Sequence, residues 1–311
     1  MENEKKATLQ EFLNIIAQKN LLQSKFLKTS LSDITDQEII KFENLLSFYM
    51  QRENNTIEQI ADKYLNKIFY LMDDQRYFAE HNRYRFSTFT ETESYYNDPV
   101  YMNSYTVGLG LSTYLWRVHR EVMRFFSKYL QLCKTGRTYF EIGPGHGEYM
   151  VTAMQQTNFH QYIAVDVSKT SVELTLHYIN HSMKEHDKKY SVIHEDFFKY
   201  HNEVLFDAIV MGEVLEHVEN PSDFLNKIYQ IASDDAHIFI TTAINAPQPD
   251  HIYLFNNLNE ITELLSKSNF IVLDFVAVNT NNVPIEKAEK KKIPIVVAFI
   301  LKKKLNPLES K

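Results

Sequence analysis

A chain of 311 residues, 44% apolar and 13% aromatic, is long enough to bury a substantial core, which excludes a mainly disordered protein. Its net charge of −7, with no basic stripe outside Lys287, Lys290, Lys291 and Lys292, argues against a nucleic-acid footprint, which needs a clustered cationic face. The single cysteine, Cys133, excludes an internal disulfide framework, fits a reducing compartment, and reads as a small buried hydrophobe because nothing beside it in sequence would lower its pKa.

The first segment, MENEKKATLQEF, has no apolar stretch of signal-peptide length, and no run of about 18 apolar residues follows it, so the expectation is a soluble, cytoplasmic chain without a membrane partner. Up to about residue 130 the pattern is helical. LQEFLNIIAQ carries apolar residues at helical spacing, and DITDQEIIKFENLLSFYM opens with Thr35 three positions before Glu38, a capping-box arrangement. NTIEQIADKYLNKIFYLM repeats the period behind a polar cap at Asn55 or Thr56.

A stretch dense in rings follows, with Tyr77, Phe78, Tyr84, Phe86, Phe89, Tyr95, Tyr96, Tyr101 and Tyr105, and it reads as loop. Such rings combine large apolar contact with a polar tip, so they could line a substrate cavity; they could equally glue the helical segment to the rest or form a homodimer contact through the N-terminal helices. Gly108 and Gly110 then precede an amphipathic helix, LSTYLWRVHREVMRFFSKYL.

Near residues 132–138, in LCKTGRT, the pattern changes to short apolar runs: 139–142, 162–165, 191–194, 206–211, 237–241, 271–278 and 293–301. Helical patterns are expected between the first six. This alternation predicts a doubly wound, seven-stranded, mostly parallel α/β sheet behind an N-terminal helical domain or cap. The last two runs, joined by NNVPIEKAEKKK, predict a hairpin that adds one antiparallel strand, with the lysines in a solvated turn.

The most informative stretch is Tyr139 to Met150, YFEIGPGHGEYM. The chain has only seven glycines, and three of them, Gly143, Gly145 and Gly147, alternate here. A glycine turn after the first strand lets backbone approach a ligand where a Cβ would collide. The dinucleotide pattern G-x-G-x-x-G does not fit, because the third glycine is one position early and Glu148 stands where the last would sit; an acid there would face a pyrophosphate unfavourably. A ligand with a cationic amino group and no phosphate fits better, with Glu141 holding that charge directly or through water.

The pattern Glu-x-Gly-x-Gly-x-Gly resembles the first motif of class I S-adenosylmethionine-dependent methyltransferases, and the resemblance continues over roughly residues 115 to 303. It implies a Rossmann-like methyltransferase domain over 108–311, with 1–107 as a helical region and aromatic-rich substrate cap, and S-adenosyl-L-methionine as cofactor. It implies cofactor contacts from Glu141, Gly143, Pro144, Gly145 and Gly147 in the first motif. Asp166 would accept from the ribose hydroxyls beside Val167, and Asp196 from the adenine amino group beside Phe197. Gly212 and Glu213 follow the fourth strand in FDAIVMGEVLEHV.

Methyl transfer needs an aligned nucleophile and, for a hydroxyl or ammonium, removal of its proton. Candidates at the strand ends are Glu213, Glu216, His217, Asp250, His251 and Tyr253, and Tyr101 or Tyr105 could reach the cofactor's methionine end or the acceptor. The set Glu213, Glu216, His217 and His251 resembles the metal-binding groups of small-RNA 3′-end 2′-O-methyltransferases and ubiquinone-pathway O-methyltransferases, which implies Mg²⁺, Mn²⁺ or Zn²⁺. EVLEHV also occurs in metal-free members, where His251 would serve as general base. The expected function is methyl transfer to oxygen or nitrogen of a small molecule, such as a natural product. The alternatives are transfer or cyclisation of the aminocarboxypropyl arm, releasing methylthioadenosine, and metal-dependent RNA methylation.

Overall fold

The computed structural model describes residues 7–183 and 187–305. Seven helices come first: α1 (Leu9–Lys19), α2 (Leu21–Ser30), α3 (Asp36–Glu53), α4 (Ile57–His81), α5 (Phe89–Asn97), α6 (Pro99–Leu115) and α7 (Arg117–Leu132). Their starts follow local chemistry. Thr35 and Thr56 each cap a helix reciprocally with the residue three positions on, Glu38 and Gln59, which settles the start of α4 on Thr56. Asn54 and Asn82 close α3 and α4 in the left-handed conformation that asparagine tolerates.

Most of the ring-rich stretch is helical, which corrects its reading as loop; residues 82–88, with Tyr84 and Phe86, remain loop. α4 runs on through Tyr77 and Phe78, and α6 is launched by Pro99 in its first turn and by the Asp98 carboxylate, which accepts from the Val100 and Tyr101 amides. α6 carries Gly108 and Gly110 in its interior. The expected boundary between 107 and 108 therefore falls inside one continuous helix. The single helix expected from Leu111 onward is divided at Trp116, whose backbone is extended.

Beyond α7 the chain alternates: β1 (Thr135–Ile142), α8 (Glu148–Gln156), β2 (Asn158–Asp166), α9 (Lys169–Ser182), β3 (Lys189–His194), β4 (Phe206–Gly212), α10 (Pro221–Ile231), β5 (Ala232–Ile244), α11 (Leu258–Lys267), β6 (Phe270–Asn279), α12 (Ile285–Lys290) and β7 (Ile295–Lys303). The seven strands lie in the order β3-β2-β1-β4-β5-β7-β6. β1 to β5 pair in parallel, and β7 inserts antiparallel between β5 and β6. Two local expectations fail. No helix separates β3 from β4, and the lysine-rich connector holds α12, which is pinned by fully buried Ala288.

Strand alternation sends Tyr139 to one face of the sheet and Phe140 to the other. On the first face a single core cluster joins Phe12, Phe42, Tyr49 and Tyr64 of the N-terminal helices to Phe126, Tyr139, Met150 and Phe239. The helical region is thus packed into the same core as the sheet. A Cβ at Gly108 would sit 2.8 Å from the Lys67 Cβ, and one at Gly110 would meet the Tyr49 hydroxyl, so both glycines let α6 cross α4 and α3 closely. Among the described residues no helix is long and apolar enough to cross a membrane.

Candidate cofactor and acceptor cavity

The site is built on the turn after β1. Gly143, Gly145 and Gly147 have φ of +67°, +55° and +83°, the left-handed region that other residues enter at a cost. At Gly145 a Cβ would meet nothing within 4 Å, so the loop presents bare backbone to open space. The turn is held by Asp166 at the end of β2, whose Oδ2 accepts from the Gly145 amide at 3.2 Å while Oδ1 accepts from the Ser168 amide at 2.8 Å. Burial nevertheless pushes this carboxyl up to about 6, against the pull of those two amides.

A cavity of about 550 Å³ opens beside the loop. Gly143, Pro144, Gly145, Asp166, Val167, Asp196, Phe197, Gly212 and Glu213 all line it, so most of the residues named for the cofactor meet in one place. At one end Phe197, Phe198 and Phe224 form an apolar wall, with Phe198 and Phe224 edge to face at 4.6 Å, suited to a flat ring. Asp196 is fixed there by the Phe198 amide, which donates to Oδ1 at 2.9 Å.

Of the residues named for the cofactor, Glu141 and Gly147 do not line the cavity, and of the acceptor-side candidates Tyr101, Glu216 and Tyr253 do not; Glu148 also lies outside it. Glu141 is 1% exposed and turned into the core, where the Tyr139 hydroxyl donates to Oε2 at 2.7 Å, so it is not part of the cavity wall. Burial, and then the Asp166 charge, raise its carboxyl to about 8. Gly147 caps α8 against Thr175. Glu148 faces away from the loop and accepts from the Tyr114 and Tyr178 hydroxyls, tying α8 to α6 and α9. Cys133 is buried, its thiol pushed up to about 12 by burial, as an inert core position requires.

At the other end lies a cluster of carboxylates and imidazoles. Glu213 follows β4 with φ of +53°, an unusual conformation for glutamate, and its amide is anchored on the Thr241 carbonyl and hydroxyl. Glu216 and His217 occupy a turn of 3-10 helix (Leu215–His217), and His251 arrives from the loop after β5 with its rings 4.6 Å from those of His217, edge to face. Among the described residues, Glu216, His217 and His251 each bring a ligand atom within 4.8 Å of the others. Both His251 nitrogens, Glu213 Oε1 and Glu216 Oε1 are buried with no hydrogen-bond partner. Burial and then the Glu213 charge drive the Glu216 carboxyl well above its ordinary range, and burial drives the His251 imidazole well below its own.

The surrounding contacts set the His217 tautomer. Its Nδ1 lies 3.0 Å from the Asp250 carbonyl, which only accepts, so Nδ1 carries the proton and Nε2 keeps a lone pair. The Tyr96 hydroxyl donates to Asp250 Oδ2 at 3.2 Å and stands 3.0 Å from the same Nδ1. Tyr105 lines the cavity and donates to Gln248 Oε1 at 3.3 Å, whereas Tyr101 stacks behind it.

Several lining residues have no motif to announce them: Lys67, Tyr96, Trp116, His119, Phe224 and Gln248. Lys67 did leave a trace. It sits on the α4 stripe formed by Ile60, Ala61, Tyr64 and Ile68, where the helical period calls for an apolar side chain.

A glycine loop after β1, acids at the ends of β2 and β3, and a parallel sheet reversed only at β7 define the class I S-adenosylmethionine-dependent methyltransferase fold, and the cavity's residues fit that cofactor. A methyltransferase-domain family model matches residues 114–273, and the chain belongs to that family. Over 115 residues it is 25% identical to a mitochondrial ubiquinone biosynthesis O-methyltransferase of Dictyostelium discoideum, a match covering 34% of this chain and 35% of that relative's length. Among solved structures it is similar to an N-methyltransferase, NodS, of Bradyrhizobium japonicum in complex with S-adenosyl-L-homocysteine (14% identity, 59% of this chain and 87% of that one, TM-score 0.45). It is also similar to a cyclopropane synthase of Mycobacterium tuberculosis (13% identity, 60% and 84%, TM-score 0.48). Neither likeness bears on the acceptor.

Proposed function

We propose that the protein is an S-adenosylmethionine-dependent methyltransferase that acts on a hydroxyl of a small-molecule acceptor, with a divalent cation beside the reacting oxygen. The observation that carries this reading is the single cavity in which the glycine loop, Asp166 and Asp196 face Glu213, His217 and His251 beneath the helical cap. The cap contributes Phe89, Tyr96, Met102, Tyr105 and Leu109, a lining that shields a small ligand from water.

Asp166 would accept from the ribose hydroxyls and Asp196 from the adenine amino group, with the phenylalanine wall against the base; their common lining of the cavity supports this. Burying Glu213 Oε1, Glu216 Oε1 and both His251 nitrogens without partners is costly unless a cation satisfies them. Glu216, His217 and His251 would hold that cation, with Glu213 beside them. When bound it would lower the pKa of an acceptor hydroxyl, activating it for attack on a sulfonium methyl group. Asp250 and Tyr96 orient His217 so that Nε2 is the free nitrogen. The partial likeness to a ubiquinone biosynthesis O-methyltransferase also supports oxygen as the target. His251 as a metal-free general base is the weaker reading, because burial makes its imidazole a poor proton acceptor.

Two measurements test this. Metal analysis of the purified protein should find about one Mn²⁺, Zn²⁺ or Mg²⁺ per chain, lost in Glu216→Gln and in His217→Ala; a full-length protein that takes up none after incubation with each ion contradicts the metal. Incubation with S-adenosylmethionine and a small-molecule extract should release S-adenosylhomocysteine. Release of methylthioadenosine would instead assign transfer of the aminocarboxypropyl arm.

A further inference from the structure

Lys67 lies in the cap, outside every methyltransferase motif, yet it lines the cavity. The residue is 3% exposed, and among the described residues its ammonium makes no hydrogen bond and no ion pair. Its ammonium lies over the face of Trp116, with Nζ 4.5 Å from the ring centroid. A π face returns only part of what an ammonium loses on leaving water, so a lone buried lysine is costly unless something pairs with it. Burial is the chief reason its pKa drops to about 8, and the charges of Asp250 and then Glu213 soften that fall.

The surroundings are built for a negative guest. His119 on α7 and His146 in the glycine loop line the same cavity, and both are held neutral, by burial first and also by the Lys67 charge. His146 Nδ1 accepts from the Glu148 amide at 3.3 Å, which leaves its proton on Nε2 as a donor. Gly108 lies against the Lys67 stem, and a Cβ at Gly110 would sit 3.4 Å from that of His146, so one turn of α6 borders both groups. This corner therefore offers the cavity an ammonium with no ion pair to a carboxylate among the described residues.

We infer that Lys67 is the anion receptor of the cavity, pairing with a carboxylate of the bound ligand and so fixing which end of that ligand enters the cap. The inference rests on the methyltransferase reading of the cavity. Two sources share this chemistry: the α-carboxylate of S-adenosylmethionine, and an acid group on the acceptor.

The test uses the full chain with Lys67→Met, which keeps the stem and removes the charge, and Lys67→Arg, which keeps the charge. Calorimetry measures S-adenosylhomocysteine and its decarboxylated analogue, and then benzoate and benzamide titrated into the S-adenosylhomocysteine-loaded protein. If the cofactor's carboxylate is the partner, Lys67→Met weakens S-adenosylhomocysteine about ten- to a hundredfold, the range of one charge-assisted hydrogen bond, leaves the decarboxylated analogue unchanged, and Lys67→Arg recovers most of the loss. If an acceptor acid is the partner, S-adenosylhomocysteine binds all three proteins alike, while benzoate but not benzamide binds the wild type and Lys67→Arg and not Lys67→Met. The inference is overturned if Lys67→Met matches the wild type for every probe. A wild type that binds no S-adenosylhomocysteine refutes the parent reading instead, and benzoate run on the unloaded protein still decides Lys67.

Discussion

Glu141 shows at the level of one side chain what a motif says and what it leaves out. Its place before the glycines suggested a ligand contact, but strand alternation turns it into the core, onto Tyr139. The folded carboxyl, raised to about 8 mainly by burial, keeps its proton where an unfolded glutamate, near its ordinary value of 4.5, has lost it. Between those values the folded state binds more protons, so Glu141 makes the protein less stable as pH rises from about 4.5 toward 8. Glu141→Gln removes that slope. Urea unfolding of the unloaded protein should show the variant gaining at least about 1 kcal/mol on the wild type between pH 5.5 and pH 8, since one pKa unit corresponds to about 1.36 kcal/mol; a constant difference across that range would contradict the assignment. The meeting of Gly143, Gly145, Asp166 and Asp196 at one cavity was legible in sequence because it depends on backbone conformation and strand ends. Glu141 and Glu148 were misread because the direction of a carboxylate is set by tertiary partners, here three tyrosines. Lys67 went unread although the α4 stripe displays it, since a polar residue in an apolar stripe signals a cavity only once the neighbouring helix is placed.

The helices of the cap were the hardest elements to read. α3 and α4 announce themselves by capping boxes, which are local and survive any tertiary setting. α5 and α6 carry rings, asparagines and glycines that lower helix propensity, and the packing of α6 against α3 and α4 overrides that preference. Gly110 exposes the mechanism. Gly110→Ala should cost about 1–3 kcal/mol, the usual range for an overpacked core, because the new methyl meets the buried Tyr49 hydroxyl. Tyr49→Phe alone should be close to neutral or slightly stabilising, because that hydroxyl has no hydrogen-bond partner. Denaturant midpoints should show the double variant recovering part of the loss; strict additivity of the two changes would mean that the contact is not the cause. In the sheet, the runs of apolar residues located all seven strands and the antiparallel pairing of the last two. The absence of a helix between β3 and β4 was not visible, because the polar turn there keeps the length of a short helical connection.

At the scale of the whole chain, one core cluster runs from Phe12 and Phe42 through Tyr64 to Phe126 and Phe239, so the N-terminal helices and the sheet share an interior. That continuity explains why a domain border drawn at 107 cuts a helix, and why cap residues lie opposite the glycine loop across one cavity. The family match begins at residue 114, near the end of α6, yet the helices before that point supply the aromatic lining and Lys67. The central claim is that this shared cavity is a cofactor site whose ribose end is held by Asp166. Titration of S-adenosylhomocysteine into the unloaded protein at pH 7.5 tests it most directly: one molecule should bind per chain, and Asp166→Ala, folded with the same near-ultraviolet spectrum, should lose at least about tenfold in affinity, as removal of a charged hydrogen-bond acceptor predicts. Binding unchanged in Asp166→Ala, or no binding to the wild type, would contradict the account.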